Sequence, residues 1–263
     1  MSGTRSRRPS WDPAQYARFA DDRTRPARDL IDRIPLDRPR IIWDLGCGTG
    51  EITERLAERW PDARVIGLDS SPAMLERARG LGTGVEWRQG TIENWSPEGA
   101  PDLVFSNAAL QWLDGHETVL PRLMRSLAAG GALAVQMPRN FEAPSHRLMR
   151  EAAEAGPWRS RLVAKLRPAP VLTPAAYFDL LAPHARRLDI WETEYLHVLE
   201  GDQPVVDWVK GTGLRPLIDA LGPGRERNAF LADYSRRIAL AYPRRPDGRT
   251  LFPFRRLFLV ALV

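Results

Sequence analysis

The chain has 263 residues, of which 43% are hydrophobic and 27% charged, as in ordinary globular proteins. Its net charge is +5, but the 36 arginines and 2 lysines are scattered and interleaved with acids, which argues against nucleic-acid binding. The longest apolar run, residues 257–263, is too short to span a bilayer, and the single cysteine, Cys47, excludes an intrachain disulfide and predicts a reducing, cytoplasmic location.

The first predicted elements precede a glycine-rich motif. Residues 1–10 carry charge with no apolar segment behind them, so we expect a disordered tail and no secretory signal. Residues 11–19 predict a short helix opened by proline, and residues 26–34 predict a second one. Trp11 and Tyr16 of the first helix are interpreted as lid residues, with a hydrophobic plug over the sheet as the alternative.

An apolar strand, residues 41–45, then runs directly into three glycines at alternate positions. Gly46, Gly48 and Gly50 lead into an amphipathic helix whose apolar residues are spaced by four. Glycine suits a backbone that must turn sharply and let a ligand approach where a Cβ would collide. Asp44 adds a carboxylate at the carboxyl end of the strand, where open α/β sheets bind ligands.

The second half of the motif is the next strand, residues 65–68, with Asp69 at its end. Asp69 follows Gly50 by 19 positions, close to the spacing at which an acid reaches a ribose hydroxyl pair. Ser71, followed by proline, is typical of a helix N-cap. Each feature alone is compatible with a turn or a cap, but together with Asp44 they predict a site for an adenosyl ligand.

The residue after the third glycine distinguishes between adenosyl ligands. A dinucleotide motif places glycine at that position, so that the helix packs closely under a pyrophosphate. Here the residue is Glu51, an anion at a helix N-terminus where a pyrophosphate requires positive potential. A dehydrogenase that binds a dinucleotide therefore fits this sequence less well than a protein that binds another adenosyl ligand.

Strands and helices continue to alternate up to residue 137. Further strands are predicted at residues 85–89, 103–106 and 133–137, with an amphipathic helix at residues 119–127. This alternation predicts an α/β fold with a Rossmann-like, doubly wound parallel sheet.

The regular alternation of strands and helices ends after residue 138. Residues 139–182 predict helices, residues 188–198 a strand, residues 204–242 helices interrupted by two glycine pairs, and residues 257–263 a buried closing strand. We interpret the helical blocks as insertions that shape the pocket for the variable substrate. The expected organisation is one domain, residues 11–263: a cofactor-binding core with an N-terminal lid at 11–138, helical cap insertions at 139–186 and 203–245, and closing strands at 187–198 and 257–263.

Several motifs distributed from Trp11 to Ala261 resemble one family. They are Trp11-x-Pro-x-x-Tyr16-x-x-Phe19, Arg23-x-Arg25-Pro26, Asp44-x-Gly-x-Gly-x-Gly50, Leu68-Asp-Ser-Ser-Pro-x-Met74, Ser106-Asn-Ala-Ala-Leu-Gln-Trp112, Ala134-Val-Gln-Met-Pro138, Gly211-Thr-Gly-Leu-Arg-Pro216 and Phe254-Arg-Arg-Leu-Phe258. The chain resembles the trans-aconitate 2-methyltransferases, which are class I S-adenosylmethionine-dependent methyltransferases. The resemblance implies a seven-stranded sheet, S-adenosyl-L-methionine as cofactor, and methylation of a carboxylate of trans-aconitate to give the monomethyl ester and S-adenosylhomocysteine.

The resemblance also implies site residues. Those implied for the cofactor are Asp44, Gly46, Gly48, Gly50, Asp69, Ser70, Thr91, Ile92 and Asn107. Those implied for the acid are Trp11, Arg23, Arg25, Arg215, Arg255 and Arg256, with Gln111, Trp112 and Tyr16 positioning the reactants. No catalytic general base is expected, because a carboxylate with an ordinary pKa is already ionised at neutral pH.

One position departs from the pattern of the family. Methyltransferases of this kind commonly place an Asp after the third strand, against the adenine amino group, and Thr91 stands there instead. A threonine hydroxyl accepts one hydrogen bond without charge assistance, so we expect weaker cofactor affinity than in a relative with Asp. Glu93 can contact the adenine amino group in place of that Asp only if the loop after the third strand follows a different path.

The sequence also bears on metals, partners and alternative functions. The four histidines are far apart in sequence and no helical pair has metal-ligand spacing, so no metal is expected. The expected partner is a small tricarboxylate, with no nucleic acid and no membrane, and a monomer is favoured. The alternatives are a methyltransferase for another small or acyl-carrier-bound acid, and a regulatory protein that binds the cofactor without turnover.

Overall fold

The computed structural model describes residues 20–166 and 169–263, with side chains from Thr24 onward. Its sheet has seven strands: β1 (Ile41–Leu45), β2 (Arg64–Asp69), β3 (Glu86–Gln89), β4 (Leu103–Asn107), β5 (Ala132–Pro138), β6 (Arg187–Leu199) and β7 (Thr250–Leu262). Their order is β3-β2-β1-β4-β5-β7-β6, with β1 to β5 parallel and β7 antiparallel to β5. The predicted Rossmann-like, doubly wound fold class is confirmed.

Ten α-helices are found in the described part of the chain. They are α1 (Ala20–Ile31), α2 (Glu51–Arg59), α3 (Pro72–Arg79), α4 (His116–Arg125), α5 (Pro144–Ala155), α6 (Arg159–Leu162), α7 (Pro174–Leu181), α8 (Pro204–Lys210), α9 (Arg215–Leu221) and α10 (Arg225–Ala241). None of the helices in residues 20–166 and 169–263 is both long and apolar enough to cross a membrane.

Strand register brings the chemically important residues to one edge of the sheet. Asp44 of β1 is the Cα partner of Gly67 on β2 and of Phe105 on β4. Because the strands are parallel, the ends of β1, β2 and β4 place Asp44, Asp69 and Asn107 at the same carboxyl edge. This is the edge at which doubly wound sheets bind ligands.

The first described helix differs from the prediction. Residues 26–34 were expected to form a helix opened by proline, but α1 spans Ala20–Ile31 with Pro26 in its interior. Pro26, Ala27 and Leu30 are all buried, so packing of this face offsets the hydrogen bond that the proline cannot donate. The predicted helix at residues 11–19 and the tail at residues 1–10 lie outside the described residues.

Two compact units are distinguished among the described residues. One contains Arg23–Arg139, Pro170–Glu194 and Arg255–Val263, and therefore holds β1 to β5. The other contains Asn140–Ala169 and Tyr195–Phe254, and its own core includes Trp208, Phe230, Tyr234 and Phe252. Within this second unit, α8, α9 and α10 are separated at Gly211–Gly213 and at Gly222–Gly224, as the glycine pairs predicted.

The closing strand is longer than predicted. It was expected at residues 257–263, but β7 already begins at Thr250. Thr250, Phe252 and Phe254 are all buried, an alternation typical of a strand. Pro253 concealed this pattern, because proline within a run argues against a strand interior.

Candidate active site

The glycine loop after β1 adopts backbone angles that favour glycine at all three positions. The φ angles of Gly46, Gly48 and Gly50 are +83°, +57° and +91°. A Cβ on Gly46 would lie 2.3 Å from the Cβ of Ala109, and one on Gly50 would lie 2.6 Å from the ring of Trp87. A Cβ on Gly48 would have no atom of residues 24–166 or 169–263 within 4 Å. Packing therefore requires the outer two glycines, whereas Gly48 presents its backbone to an open space that a ligand can approach.

Asp69 ties this loop to the end of β2. Its Oδ2 accepts a hydrogen bond from the Gly48 amide at 2.9 Å, and its Oδ1 accepts one from the Ser71 amide at 2.8 Å. Ser71 is the N-cap of α3, as predicted, because its Oγ accepts from the Met74 amide. A carboxylate has about four acceptor positions, so Asp69 retains capacity for a ligand hydroxyl pair while it holds the loop. Ser70, beside it, is exposed.

Asp44 lies beneath the loop as a buried carboxyl group. It is 2% exposed, and its Oδ2 accepts a 2.6 Å hydrogen bond from the hydroxyl of Thr53. The pKa of Asp44 is raised to about 7, mainly by burial; the Thr53 hydrogen bond lowers it and the nearby charge of Asp69 raises it. An ionised Asp44 thus requires a compensating positive charge. Burial also raises the pKa of Cys47, so this thiol is neutral and contributes to packing.

The loop after β3 is fixed by an arginine that the sequence analysis missed. Thr91 is the N-cap of a 3-10 turn, Ile92–Asn94, and the Ile92 side chain lies 3.8 Å from the Cβ position of Gly46. Arg122 of α4 donates 2.6 Å hydrogen bonds to the carbonyls of Ile92 and Trp95. Nothing in the spacing of the sequence shows that an arginine about thirty residues away supports this loop.

The loop after β4 is strained and lies against the glycine loop. Ala108 has a φ of +52° and is the one non-glycine residue with positive φ in the described ranges. Its carbonyl accepts a 2.6 Å hydrogen bond from Nε2 of Gln111, whose Oε1 is buried and has no hydrogen-bond partner within the described part of the chain. Asn107 is half-buried, with its Oδ1 also without a partner. Trp112 is half-buried in the same loop.

A second residue missed by the sequence analysis is Gln136 of β5. Its side chain is completely buried, and neither the oxygen nor the nitrogen of its amide has a hydrogen-bond partner among the residues that the structure describes. The available signal was a single polar residue within the otherwise apolar strand Ala132–Pro138.

The arginines predicted to hold the acid are in different environments. Arg256 is 4% exposed, whereas Arg25 and Arg255 are exposed, and Arg255 lies 3.8 Å from a carboxylate oxygen of Glu194. Arg215 belongs to the other unit and forms an ion pair with Asp219, at 3.1 Å. The remaining predicted positions, Trp11, Tyr16 and the side chain of Arg23, lie outside the described residues.

No group of three or more metal-ligating side chains occurs in the part of the chain that the structure describes. The polar groups around the glycine loop are instead two carboxylates, amides and backbone N–H groups. Such a set matches an organic ligand that carries hydroxyl groups and positive charge.

Comparison with known proteins identifies the family. A family model for a methyltransferase domain matches residues 42–131. A trans-aconitate 2-methyltransferase of Azoarcus sp. (strain BH72) is 53% identical over 254 residues, covering 97% of this chain and 99% of the relative. Another, from Methylobacterium radiotolerans, is 52% identical over 95% of this chain and 97% of the relative. The chain belongs to the trans-aconitate 2-methyltransferase family.

Solved structures support the fold alone. The YcgJ protein of Bacillus subtilis is similar with a TM-score of 0.60 at 13% identity, over 91% of this chain and 98% of that one. A putative methyltransferase of Bacillus halodurans has a TM-score of 0.58 at 17% identity, over 90% and 97%. Both solved structures therefore share the doubly wound fold that the sequence predicted.

Proposed function

We propose that this protein transfers a methyl group from S-adenosylmethionine to a carboxylate of trans-aconitate, giving the monomethyl ester and S-adenosylhomocysteine. Support for the acceptor comes from relatives that are about half identical over nearly the whole chain and are named for this reaction. Support for the cofactor comes from the open backbone at Gly48 beside the carboxylate of Asp69.

The residues around the glycine loop fit an adenosyl sulfonium compound. Asp69 would accept hydrogen bonds from ribose hydroxyls, and the Thr91–Ile92 loop would border the adenine. Asp44 supplies buried negative charge beneath the loop, which suits a positively charged ligand. When bound, S-adenosylmethionine supplies a methyl group on a sulfonium cation, an electrophile that needs no metal and no general acid.

The chain's own task is to position and desolvate the reactants. An ionised carboxylate is already a nucleophile, so no side chain has to remove a proton. Because the reaction neutralises an anion and a cation, water stabilises the reactants more than the transition state. A dry pocket that fixes both reactants therefore accelerates the step, and positioning alone contributes on the order of 7–11 kcal/mol. Gln111 and Trp112, beside the strained Ala108, would border the acceptor.

Guanidinium groups are the expected ligands of the carboxylates that do not react. Among the predicted arginines, Arg256 is the strongest candidate, because it is buried and, as the Cα partner of Pro138, lies beside the carboxyl end of β5. Arg215 and Arg255 already face Asp219 and Glu194. Both are also more exposed than Arg256, so we rank them below it.

Radiolabelled methyl transfer tests the function. The purified protein would be supplied with labelled S-adenosylmethionine and a panel of di- and tricarboxylates, with a protein-free control. We expect the highest kcat/KM with trans-aconitate and a base-labile monomethyl ester as product. A higher kcat/KM for another acid would identify that acid as the acceptor in place of trans-aconitate. Methyl transfer to none of the acids in the panel would contradict the proposal.

A further inference from the structure

Gln136 is a buried polar residue whose side-chain amide is not hydrogen-bonded by any residue in the ranges 20–166 and 169–263. Its side chain is completely inaccessible, and both its Oε1 and its Nε2 are without hydrogen-bond partners. Buried amides are almost always hydrogen-bonded, and those that are not require an explanation such as a ligand. The neighbours of Gln136 along β5 include Ala134, Val135 and Met137, so an apolar residue would suit a purely structural role better.

Strand register places Gln136 in a group of polar residues on one face of the sheet. Its Cα partner on β4 is Asn107, whose Oδ1 also has no partner, and its Cα partner on β7 is Phe258. Arg256 is the partner of Pro138, two positions further along. Residues two apart on a strand share a face, and so do Cα partners on neighbouring strands. Asn107, Gln136 and Arg256 therefore project from the same face.

This polar face adjoins the loop that contacts the glycine loop. The Ala108 amide donates a 2.9 Å hydrogen bond to the carbonyl of Gln136, and the Ala108 carbonyl accepts from Gln111. The next residue, Ala109, lies against Gly46. A ligand held at Gln136 is thus separated from the cofactor loop only by the short segment that carries the strained Ala108.

We propose that Gln136 holds the carboxylate that accepts the methyl group, its amide donating to the oxygen that is not methylated, while Arg256 holds a second carboxylate of the same acid. This inference rests on the proposed function. It adds Gln136 to the proposed site and assigns different carboxylates of the acid to Gln136 and Arg256. Asn107 lies beside Gln136 on the cofactor side and borders the same carboxylate.

The charge changes of the reaction favour an amide at this position. A carboxylate oxygen forms a bond to the methyl carbon, the carbon–sulfur bond breaks, and its electron pair stays on sulfur. The carboxylate thereby becomes a neutral ester and the sulfonium a neutral thioether, with no proton transferred. A guanidinium would stabilise the charged reactant more than the transition state, which slows the step. A neutral amide N–H favours the charged carboxylate over the forming ester less strongly than a guanidinium does, so it orients the carboxylate at a smaller cost to the rate.

The spacing of the two residues suits one small acid. Two residues along a strand cover roughly 7 Å, and neighbouring strands lie about 4.8 Å apart. Gln136 and Arg256 are related by one such step along the strand and one across it. Both side chains can therefore reach neighbouring carboxylates on a short carbon skeleton.

Gln136→Met, with Leu133→Met as the matched control, tests this inference. Methionine has almost the size of glutamine without its hydrogen-bonding atoms, and Leu133 is a buried residue of the same strand that projects from the opposite face. In Gln136→Met we expect the KM for trans-aconitate to rise about ten- to a hundred-fold, as for loss of a hydrogen bond to a charged group. Affinity for S-adenosylhomocysteine should stay within about twofold of wild type.

Stability gives a second readout that a structural role would not produce. Because no described residue hydrogen-bonds the amide of Gln136, Gln136→Met should melt no lower than wild type. Leu133→Met should keep wild-type kinetics. An unchanged KM in Gln136→Met, or a joint loss of melting temperature and cofactor affinity, would overturn the inference. Wild-type protein that methylates no trans-aconitate would instead overturn the proposed function, and this inference with it.

A second variant keeps the test decisive if Gln136→Met does not fold. Gln136→Glu has the same shape, and its carboxyl group repels the acid only when it is ionised. We expect its KM for trans-aconitate, relative to wild type, to rise steeply between about pH 6 and pH 8 as that group loses its proton. A ratio that does not change with pH would contradict contact between residue 136 and the acid.

Discussion

At the residue scale, the three glycines of the loop have different physical roles. A Cβ collision excludes any other residue at Gly46 and Gly50, whereas at Gly48 the backbone angle favours glycine and a Cβ would occupy the space that we propose for the cofactor. The sequence showed the positions of the glycines but not this distinction, because the colliding atoms belong to Ala109 and Trp87, which are distant in sequence.

Substitution of Gly48 separates strain from ligand contact. Gly130 has a φ of +79° and room for a Cβ with no atom within 4 Å, so it is a matched control outside the loop. Gly48→Ala and Gly130→Ala should each lower the free energy of unfolding by about 1 kcal/mol. Only Gly48→Ala should weaken binding of S-adenosylhomocysteine in calorimetry. Equal affinities in the two variants would show that no ligand approaches Gly48.

Asp44 makes a prediction about pH dependence. Its folded-state pKa of about 7 lies above the ordinary value of 3.8, so the folded protein holds this proton more tightly than the unfolded chain. The resulting destabilisation is absent below about pH 4, grows as the pH rises towards 7, and is complete above it. Asp44→Asn removes it, since an amide can still accept the Thr53 hydrogen bond.

Cofactor-free Asp44→Asn should therefore melt higher than wild type at about pH 8, and the difference should shrink as the pH falls from about 7 towards 4. Thermal unfolding across this range measures it. A variant that melts lower than wild type at the alkaline end would show that ionised Asp44 stabilises the free protein, contrary to the burial argument.

At the element scale, the loop after β3 depends on α4. Arg122 joins them through the carbonyls of Ile92 and Trp95. Arg122→Met keeps most of the aliphatic side chain and removes both hydrogen bonds, so the loop that we propose to border the adenine should loosen. We expect about a ten-fold weaker affinity for S-adenosylhomocysteine, in line with charge-assisted bonds.

Arg125→Met, at an exposed position of the same helix, is the control and should bind as wild type does. Equal affinity in the Arg122 and Arg125 variants would exclude a role of the loop in cofactor binding.

The N-terminal segment is also an element-scale prediction. If Trp11 and Tyr16 close over the reactants, we expect truncation before Asp21 to abolish turnover. A cooperative thermal unfolding transition of the truncated protein would verify that it is folded. Full activity of the truncated protein would refute the lid.

At the scale of the whole molecule, local signals predicted the element order well. Alternating apolar runs and glycine or proline breaks indicated β1 to β5 and the divisions between α8, α9 and α10. Prediction failed where packing overrides a local signal, as at Pro26 inside α1 and Pro253 inside β7. Arg122 and Gln136 were missed because their roles arise from contacts and register between distant segments. The ion pair between Arg215 and Asp219 could be predicted from their spacing of four residues on a helix. This ion pair weakens the case for Arg215 as a ligand of the acid.

The proposed methyl transfer requires that the loop from Gly46 to Gly50 and the carboxylate of Asp69 bind an adenosyl cofactor. Calorimetric titration of the wild-type protein with S-adenosylhomocysteine tests this most directly. We predict saturable binding with one site per chain, and a large loss of affinity in Asp69→Ala. Absence of binding heat in folded wild-type protein, over a range of temperatures, would contradict the cofactor site and the methyl transfer that depends on it.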